Sequence, residues 1–384
     1  RIQERDSYGK LVRNISIEPP KKGKNLRLSI DLELQKKLFY EFKGRKGALV
    51  AIEPKTGLIR ALISSPTYDP NLLNTINDYD EVRNLFSDQD SPLFNRALSG
   101  QYPPASTLKP FVGMAALEAK TISWEKEILD SGEYLVEGDE RPYRGWKEGG
   151  HGKVDMNKAI IESSDVYFYS LAYDLTVSNL SPFLEKFGFG EQSGLTIREG
   201  TGILPSRKWK LGYKGESWFK GDTINMGIGQ GYITATPLQI AVAYSALANK
   251  GELVKPRIIE KIGEENTETV IKKNISLIDD LNWKRIEKSL LGVVEASNGT
   301  ANNIYDRNIR IAGKTGTAQV KSIIETEYEL LREDKSLRDH ALFVGYGPVE
   351  EPKLVVVAII ENGESGSAVA APLVRKAINL YSKK

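Results

Sequence analysis

The chain has 384 residues and no cysteine, which excludes thiol catalysis, cysteine-ligated zinc and disulfides while leaving length for a large core in two or three domains. Its 53 basic and 51 acidic residues give a formal net charge of +2 and are spread along the chain, so no electrostatic footprint points to nucleic acid. The longest apolar run, 354–360, is far too short to cross a bilayer and reads as a buried strand.

In chain order, residues 1 to about 26 end in the charged, breaker-rich stretch Glu18-Pro19-Pro20-Lys21-Lys22-Gly23-Lys24. A strand is expected over 26–30 and an amphipathic helix over 32–42. Two apolar runs, 47–54 and 58–64, flank Lys55-Thr56-Gly57, which is a hairpin signal. From about 69 to 294 the pattern is mostly helix and loop. Strands return at 309–320, 340–346 and 353–360, and a helix closes the chain over 370–381. Five strands split between the two ends predict an α/β (α+β) architecture: one sheet closed by the first and last segments, with a helical region inserted between them. The charged segment 321–338 joins two neighbouring strands and is expected to carry a short surface helix over 325–333 and to act as a lid or partner contact. There is no internal repeat and no low-complexity tract.

Three short motifs carry the chemistry. The first is Ser106-Thr107-Leu108-Lys109. The same Ser-x-x-Lys spacing starts at Ser7, Ser123 and Ser217, so context has to select among them. Tyr102-Pro103-Pro104-Ala105 cannot be helical whereas 111–120 reads as a buried helix, which puts Ser106 at a helix start with Pro110 in the first turn. There Lys109 faces the same way as Ser106, and the free N–H groups favour negative charge on an acyl oxygen. An ordinary N-cap fits Ser106 equally well.

The second motif, Ser163-Ser164-Asp165, falls between two helical stretches, 156–162 and 166–173. Ser163 could relay a proton, Asp165 could orient a lysine or substrate, or the triplet could simply cap the second helix. The third, Lys314-Thr315-Gly316-Thr317, continues a strand with small side chains on an open line. A glycine there marks a close approach of another backbone, which could be an extended peptide ligand whose carboxylate meets Lys314 and the Thr315 or Thr317 hydroxyl. A plain edge strand guarded by lysine is the alternative.

In this order the three motifs resemble those of the penicillin-binding transpeptidases of bacterial cell-wall synthesis. The stretches 102–110, Trp146-Lys147 with Gly150-His151-Gly152, 227–232 with Thr236-Pro237-Leu238-Gln239, 312–320 and 339–346 are similar to the class B branch of cell elongation, from about residue 25 to the C-terminus. The resemblance implies a five-stranded antiparallel sheet covered by helices beside an all-helical subdomain, with the active site between them. It further implies that residues 1–26 are the tail of a pedestal or dimerisation domain and 27–384 the transpeptidase domain. By the same resemblance an N-terminal membrane helix on the extracytoplasmic side is missing from this chain, and a membrane glycosyltransferase of the SEDS type and the elongation machinery are partners.

On that basis Ser106 is the nucleophile that attacks the penultimate D-alanine of a peptidoglycan stem peptide, and β-lactams acylate it. Lys109 is the base, kept neutral by burial and by the charge of Lys314, and Ser163 passes the proton to the leaving group. Asp165 stands where many relatives have asparagine. Lys314, Thr315, Gly316 and Thr317 hold the substrate, and the N–H groups of Ser106 and Thr317 form the oxyanion hole. No cofactor is implied. Gram-negative relatives can carry zinc on two aspartates, a histidine and a cysteine; here Asp130 and His151 align with two of these, but Gly145 and Ser164 replace the others, so no metal is expected and His151 reads as a structural hydrogen-bonder beside Trp146. Two alternatives stay open: a D,D-carboxypeptidase or serine β-lactamase, in which water replaces the acceptor amine, and a non-catalytic β-lactam sensor or scaffold.

Overall fold

The computed structural model describes residues 2–16, 21–74, 79–138, 142–320 and 335–383. The chain divides into a small unit, Arg1–Leu28 with Ile259–Glu268, and a large one, Ser29–Ile258 with Thr269–Lys384. In the small unit Ile2–Arg5 pairs antiparallel with Leu11–Ser16, and Ile259–Ile262 lies between Leu26–Leu28 and Glu265–Asn266. The partner of Leu26–Leu28 thus comes from beyond the helical stretch, which no local pattern announces.

The large unit is built on one five-stranded antiparallel sheet, ordered Ala312–Ala318, His340–Gly347, Leu354–Ile360, Gly47–Ile52, Ile59–Ser65. First and last segments of the chain meet in it, as the strand pattern predicts. Leu354–Ile360 and Gly47–Ile52 are buried along their whole length, because helices cover both faces, and continuous apolar runs are what such strands require. Ile59–Ser65 alternates between buried and half-buried positions, as an edge strand covered on one face should.

Leu32–Glu41 starts at Asp31, whose side chain accepts from Leu34 N, and packs with the C-terminal helix Ala371–Ser382 against the sheet. The other cover is Pro237–Ala248. Every residue of it is buried, so it shows no polar face. Pro237 opens its first turn, and Thr236 and Gln239 cap each other's backbone N–H groups.

Beside this layer, Lys109–Glu118 packs on Asp165–Lys186, a long helix that breaks at Thr176. The ring of Phe111 makes edge contacts at centroid distances of 4.9 Å to Phe187, 5.5 Å to Phe189 and 5.3 Å to Tyr244. This aromatic cluster anchors the helix that follows the Ser106 turn. The stretch expected to be helix and loop also holds short ladders: Ile128–Asp130 with Gly152–Val154, Glu133–Tyr134 with Tyr143–Arg144, and Glu252–Val254 with Ile271–Asn274. Strands of two to four residues are too short for an alternating pattern to register. The surface helix expected over 325–333 lies outside the described residues.

Phe111→Ala is expected to cost about 3–5 kcal/mol of unfolding free energy, because it empties the centre of the aromatic cluster. Urea unfolding followed by fluorescence measures it, and a loss below about 1 kcal/mol would show that the cluster does not hold this helix.

Candidate active site

Ser106 sits in a tight turn, Ala105–Leu108, that runs directly into Lys109–Glu118; Lys109 N donates to Ser106 O, and Pro110 lies in the first helical turn. Ala105 takes a left-handed backbone, φ 49°, which a residue with a Cβ adopts only under constraint. The constraint is Gly229. Ala105 N donates to Gly229 O at 2.9 Å, and a Cβ on Gly229, itself at φ 73°, would lie 2.1 Å from Ala105 O. Tyr244 fixes the other side of the turn by donating its hydroxyl to Thr107 O at 2.7 Å. Ser106 is half-buried between the buried Ala105 and Thr107. Ser7, Ser123 and Ser217, which begin the other Ser-x-x-Lys spacings, are all exposed.

Lys109 points into the interior and is fully buried. Its Nζ donates to Ser163 O at 2.7 Å, Ser163 Oγ at 3.1 Å and Asp165 Oδ1 at 2.6 Å. These acceptors belong to the turn between Met156–Ile161 and Asp165–Lys186, where Ser164 is the N-cap and accepts from Tyr167 N. Ser163 is strained in the left-handed region, φ 60°, which is how one short turn aims both its carbonyl and its hydroxyl at the same ammonium. Trp146 locks the arrangement: its indole Nε1 donates to Ser163 O at 3.0 Å and its backbone N to Asp165 Oδ2 at 2.9 Å.

Lys314, also fully buried, reaches the same hydroxyl from the sheet. Its Nζ donates to Ser163 Oγ at 2.9 Å and to Thr315 O at 3.3 Å. Lys109, Ser163, Asp165 and Lys314 therefore form one hydrogen-bonded group from three separate chain segments. The Ser106 turn packs against the Lys314 strand, and Gly316 permits it: a Cβ there would lie 3.1 Å from Thr107 Cγ2 and 3.4 Å from Pro104 O.

Burial drives both lysines below their ordinary value, since an ammonium loses its hydration without full compensation. At Lys109 the Asp165 carboxylate opposes the shift. At Lys314, lowered well below 10.5, the charge of Lys109 adds to burial. Both directions agree with the expectation that burial and the pairing of two ammonium groups depress a lysine here.

The Lys314 strand is an edge of the sheet, which both the ligand-pairing and the plain edge-strand readings expect. Thr317 O accepts from Gln230 Nε2 at 3.1 Å, a residue outside the sheet. In an antiparallel ladder the N–H and C=O of one residue face the same way, so the Thr317 N–H also faces the open edge. Thr315 Oγ1 lies 2.8 Å from Thr300 Oγ1, just beyond the end of Leu281–Glu295. Neither Thr300 nor the bracing role of Trp146 has a local signal, because both depend on tertiary neighbours.

Asp130, His151 and Ser164 form a buried chain: Asp130 Oδ2 is 2.6 Å from both His151 Nδ1 and Ser164 Oγ, and Oδ1 accepts from Gly132 N at 2.9 Å. Among the described residues His151 Nε2 is buried without a partner, and the ring lies 5.5 Å from that of Trp146. The zinc set of some relatives does not fit here. Gly145 offers no side chain, the Ser164 hydroxyl is committed to Asp130, and among the described residues no group of three or more His, Cys, Asp or Glu is placed to hold a metal. His340, at the start of its strand, accepts from Asn362 N at 3.0 Å and packs edge-on against Tyr102.

Helices on both faces of a five-stranded antiparallel sheet, with the reactive groups gathered at one edge strand, are the layout of the penicillin-binding transpeptidase and serine β-lactamase-like fold, and the architecture assigns the chain to that class. Comparison with known proteins narrows the class. Residues 47–379 match the penicillin binding protein transpeptidase domain. Peptidoglycan D,D-transpeptidase MrdA of Haemophilus influenzae is 40% identical over 98% of this chain and 59% of its own length, and that of Escherichia coli K12 is 36% identical over 95% and 59%. The crystal structure of Pseudomonas aeruginosa PBP2 in complex with WCK 5153 superposes with a TM-score of 0.86 at 39% identity, covering 94% of this chain and 76% of that one. Helicobacter pylori PBP2 in its complex with MreC also gives 0.86, at 30% identity over 99% and 68%. The chain belongs to the penicillin-binding protein transpeptidase family, and it spans about three fifths of the length of the curated relatives it matches.

Lys314→Met tests the burial of the second ammonium. A lysine whose folded value is depressed binds fewer protons in the folded than in the unfolded chain, so its stability penalty is full below the folded value and disappears as pH rises to 10.5. The variant is expected to melt at a higher temperature than the parent at neutral pH, with the difference shrinking towards pH about 10, while acylation by penicillin falls at least about tenfold. A difference in melting temperature that does not change with pH would contradict the depressed value.

Proposed function

We propose that the large unit is a serine D,D-transpeptidase that cross-links peptidoglycan stem peptides through an acyl-enzyme on Ser106. The observation that carries this reading is the shared hydrogen bonding of Lys109 and Lys314 to the Ser163 hydroxyl, with Lys109 ending the Ser106 turn and Lys314 on the strand that turn packs against. As observed, Lys109 Nζ has three acceptors, which matches the three hydrogens of an ammonium. Loss of one proton frees a lone pair, and burial favours that loss.

In the proposed reaction neutral Lys109 takes the Ser106 proton as Ser106 Oγ bonds to the carbonyl carbon of the penultimate D-alanine. The carbonyl oxygen takes up negative charge against the N–H groups of Ser106 and Thr317. Collapse breaks the bond to the terminal D-alanine, whose nitrogen receives the proton through Ser163. An amine of a second stem peptide then attacks the ester, its proton returns through Lys109 to Ser106, and a new peptide bond is formed. Asp165 holds Lys109 in register. Lys314, Thr315, Gly316 and Thr317 present the edge along which the donor peptide lies, its carboxylate met by the Lys314 charge and the threonine hydroxyls. A β-lactam enters the same path and stops at the acyl-enzyme.

The rest of the reading is supported by relatives: MrdA proteins are named peptidoglycan D,D-transpeptidases, and Helicobacter pylori PBP2 is solved in complex with MreC. The elongation machinery with a SEDS-type glycosyltransferase as partners, and the extracytoplasmic face of the inner membrane as location, are proposed from the family resemblance. No helix among the described residues is long and apolar enough to cross a membrane. Residues 1–26 are proposed to belong to a pedestal domain and 27–384 to the catalytic domain, with its helical subdomain over about 69–294.

Intact mass after exposure to fluorescent penicillin is the test. One equivalent should add to the parent protein, peptide mapping should place it on Ser106, and Ser106→Ala should remain unlabelled with an unchanged melting curve. Many turnovers of a chromogenic cephalosporin would instead make the chain a β-lactamase, and labelling that persists in Ser106→Ala would leave the proposal without its nucleophile.

A further inference from the structure

Gln230 lies between two glycines of left-handed backbone, Gly229 at φ 73° and Gly231 at φ 76°, and its own N donates to Asn225 O at 3.0 Å. This loop holds the Ser106 turn through Gly229, and it spans to the sheet through the Gln230 carboxamide, whose Nε2 donates to Thr317 O at 3.1 Å. Gln230 therefore occupies the one backbone acceptor of Thr317 that faces the open edge.

The geometry of antiparallel pairing says what should take that place. Two residues that form a hydrogen-bonded pair exchange both bonds, N–H to O in each direction. An acyl donor whose carbonyl oxygen sits on the Thr317 N–H must then direct the N–H of that same residue at Thr317 O. That is the atom Gln230 fills.

Resting on the acyl-transfer reading above, we propose that Gln230 is a displaceable placeholder at the donor subsite, its carboxamide standing in for the N–H of the residue whose carbonyl is attacked. A donor with that N–H replaces the Gln230 bond by an equivalent one after breaking it. A donor without it leaves Gln230 in place and gains nothing at Thr317 O. The residue thus closes the strand edge when no peptide is bound and offsets the advantage that one amide hydrogen would otherwise give a donor at Thr317 O.

Two β-lactams built on the same bicyclic nucleus separate these cases. Benzylpenicillin carries an acylamino N–H on the carbon next to the reactive carbonyl, the spacing found within one amino-acid residue; penicillanic acid sulfone carries no substituent there. Second-order acylation constants from intact mass are compared for the parent protein, Gln230→Ala and Gln230→Leu, the last preserving bulk without a donor. The ratio of the benzylpenicillin constant to the sulfone constant should rise about fivefold in both variants, the factor of one neutral hydrogen bond that no longer has to be broken. An unchanged ratio, or one that rises in Gln230→Ala alone, would overturn the placeholder role, and a falling ratio would mean that Gln230 grips the donor. Failure of benzylpenicillin to label Ser106 in the parent protein would instead overturn the acyl-transfer reading on which this rests.

Discussion

Two ammonium-bearing side chains without access to water, both donating to the hydroxyl of Ser163, are the constraint around which the large unit is arranged. Burying one lysine is costly; burying two side by side adds repulsion to lost hydration. The arrangement is tolerable because Asp165 compensates Lys109 and because one strained turn supplies both a carbonyl and a hydroxyl to the same amine. Burial then favours loss of a proton, which is the property a base for a serine hydroxyl needs.

Holding that group in place takes several rigid elements. The sheet brings Lys314 from its edge, the helix after the Ser106 turn brings Lys109, and the N-terminus of the long helix brings Asp165. Gly229 and Gly316 let two backbones close on the Ser106 turn without a Cβ between them. Behind the site, the Asp130–His151–Ser164 chain and Trp146 fix the turn that carries Ser163. Binding sites held by packed elements of this kind keep sub-ångström positions better than sites built on loops.

The sheet was legible because its buried strands are continuous apolar runs and its hairpin is marked by Lys55-Thr56-Gly57. The edge position of the Lys314 strand followed from its small residues and glycine. The short ladders and the distant partner of Leu26–Leu28 were not legible, since pairing across such separations leaves no periodic trace. At the site the three motifs identified which residues to watch, but not their wiring. That both lysines meet at the Ser163 hydroxyl, that Trp146 braces Ser163, and that Thr300 meets Thr315 depend on distances which only the folded chain sets.

The central claim is that Asp165 sets the proton affinity of Lys109, and the pH dependence of Ser106 acylation in Asp165→Asn tests it most directly. Removing the carboxylate removes the influence that raises the Lys109 value against burial. The acid limb of the profile should therefore move to lower pH, with a lower plateau because the amine is less firmly oriented. An acid limb that stays where it is, or moves to higher pH, would contradict the account.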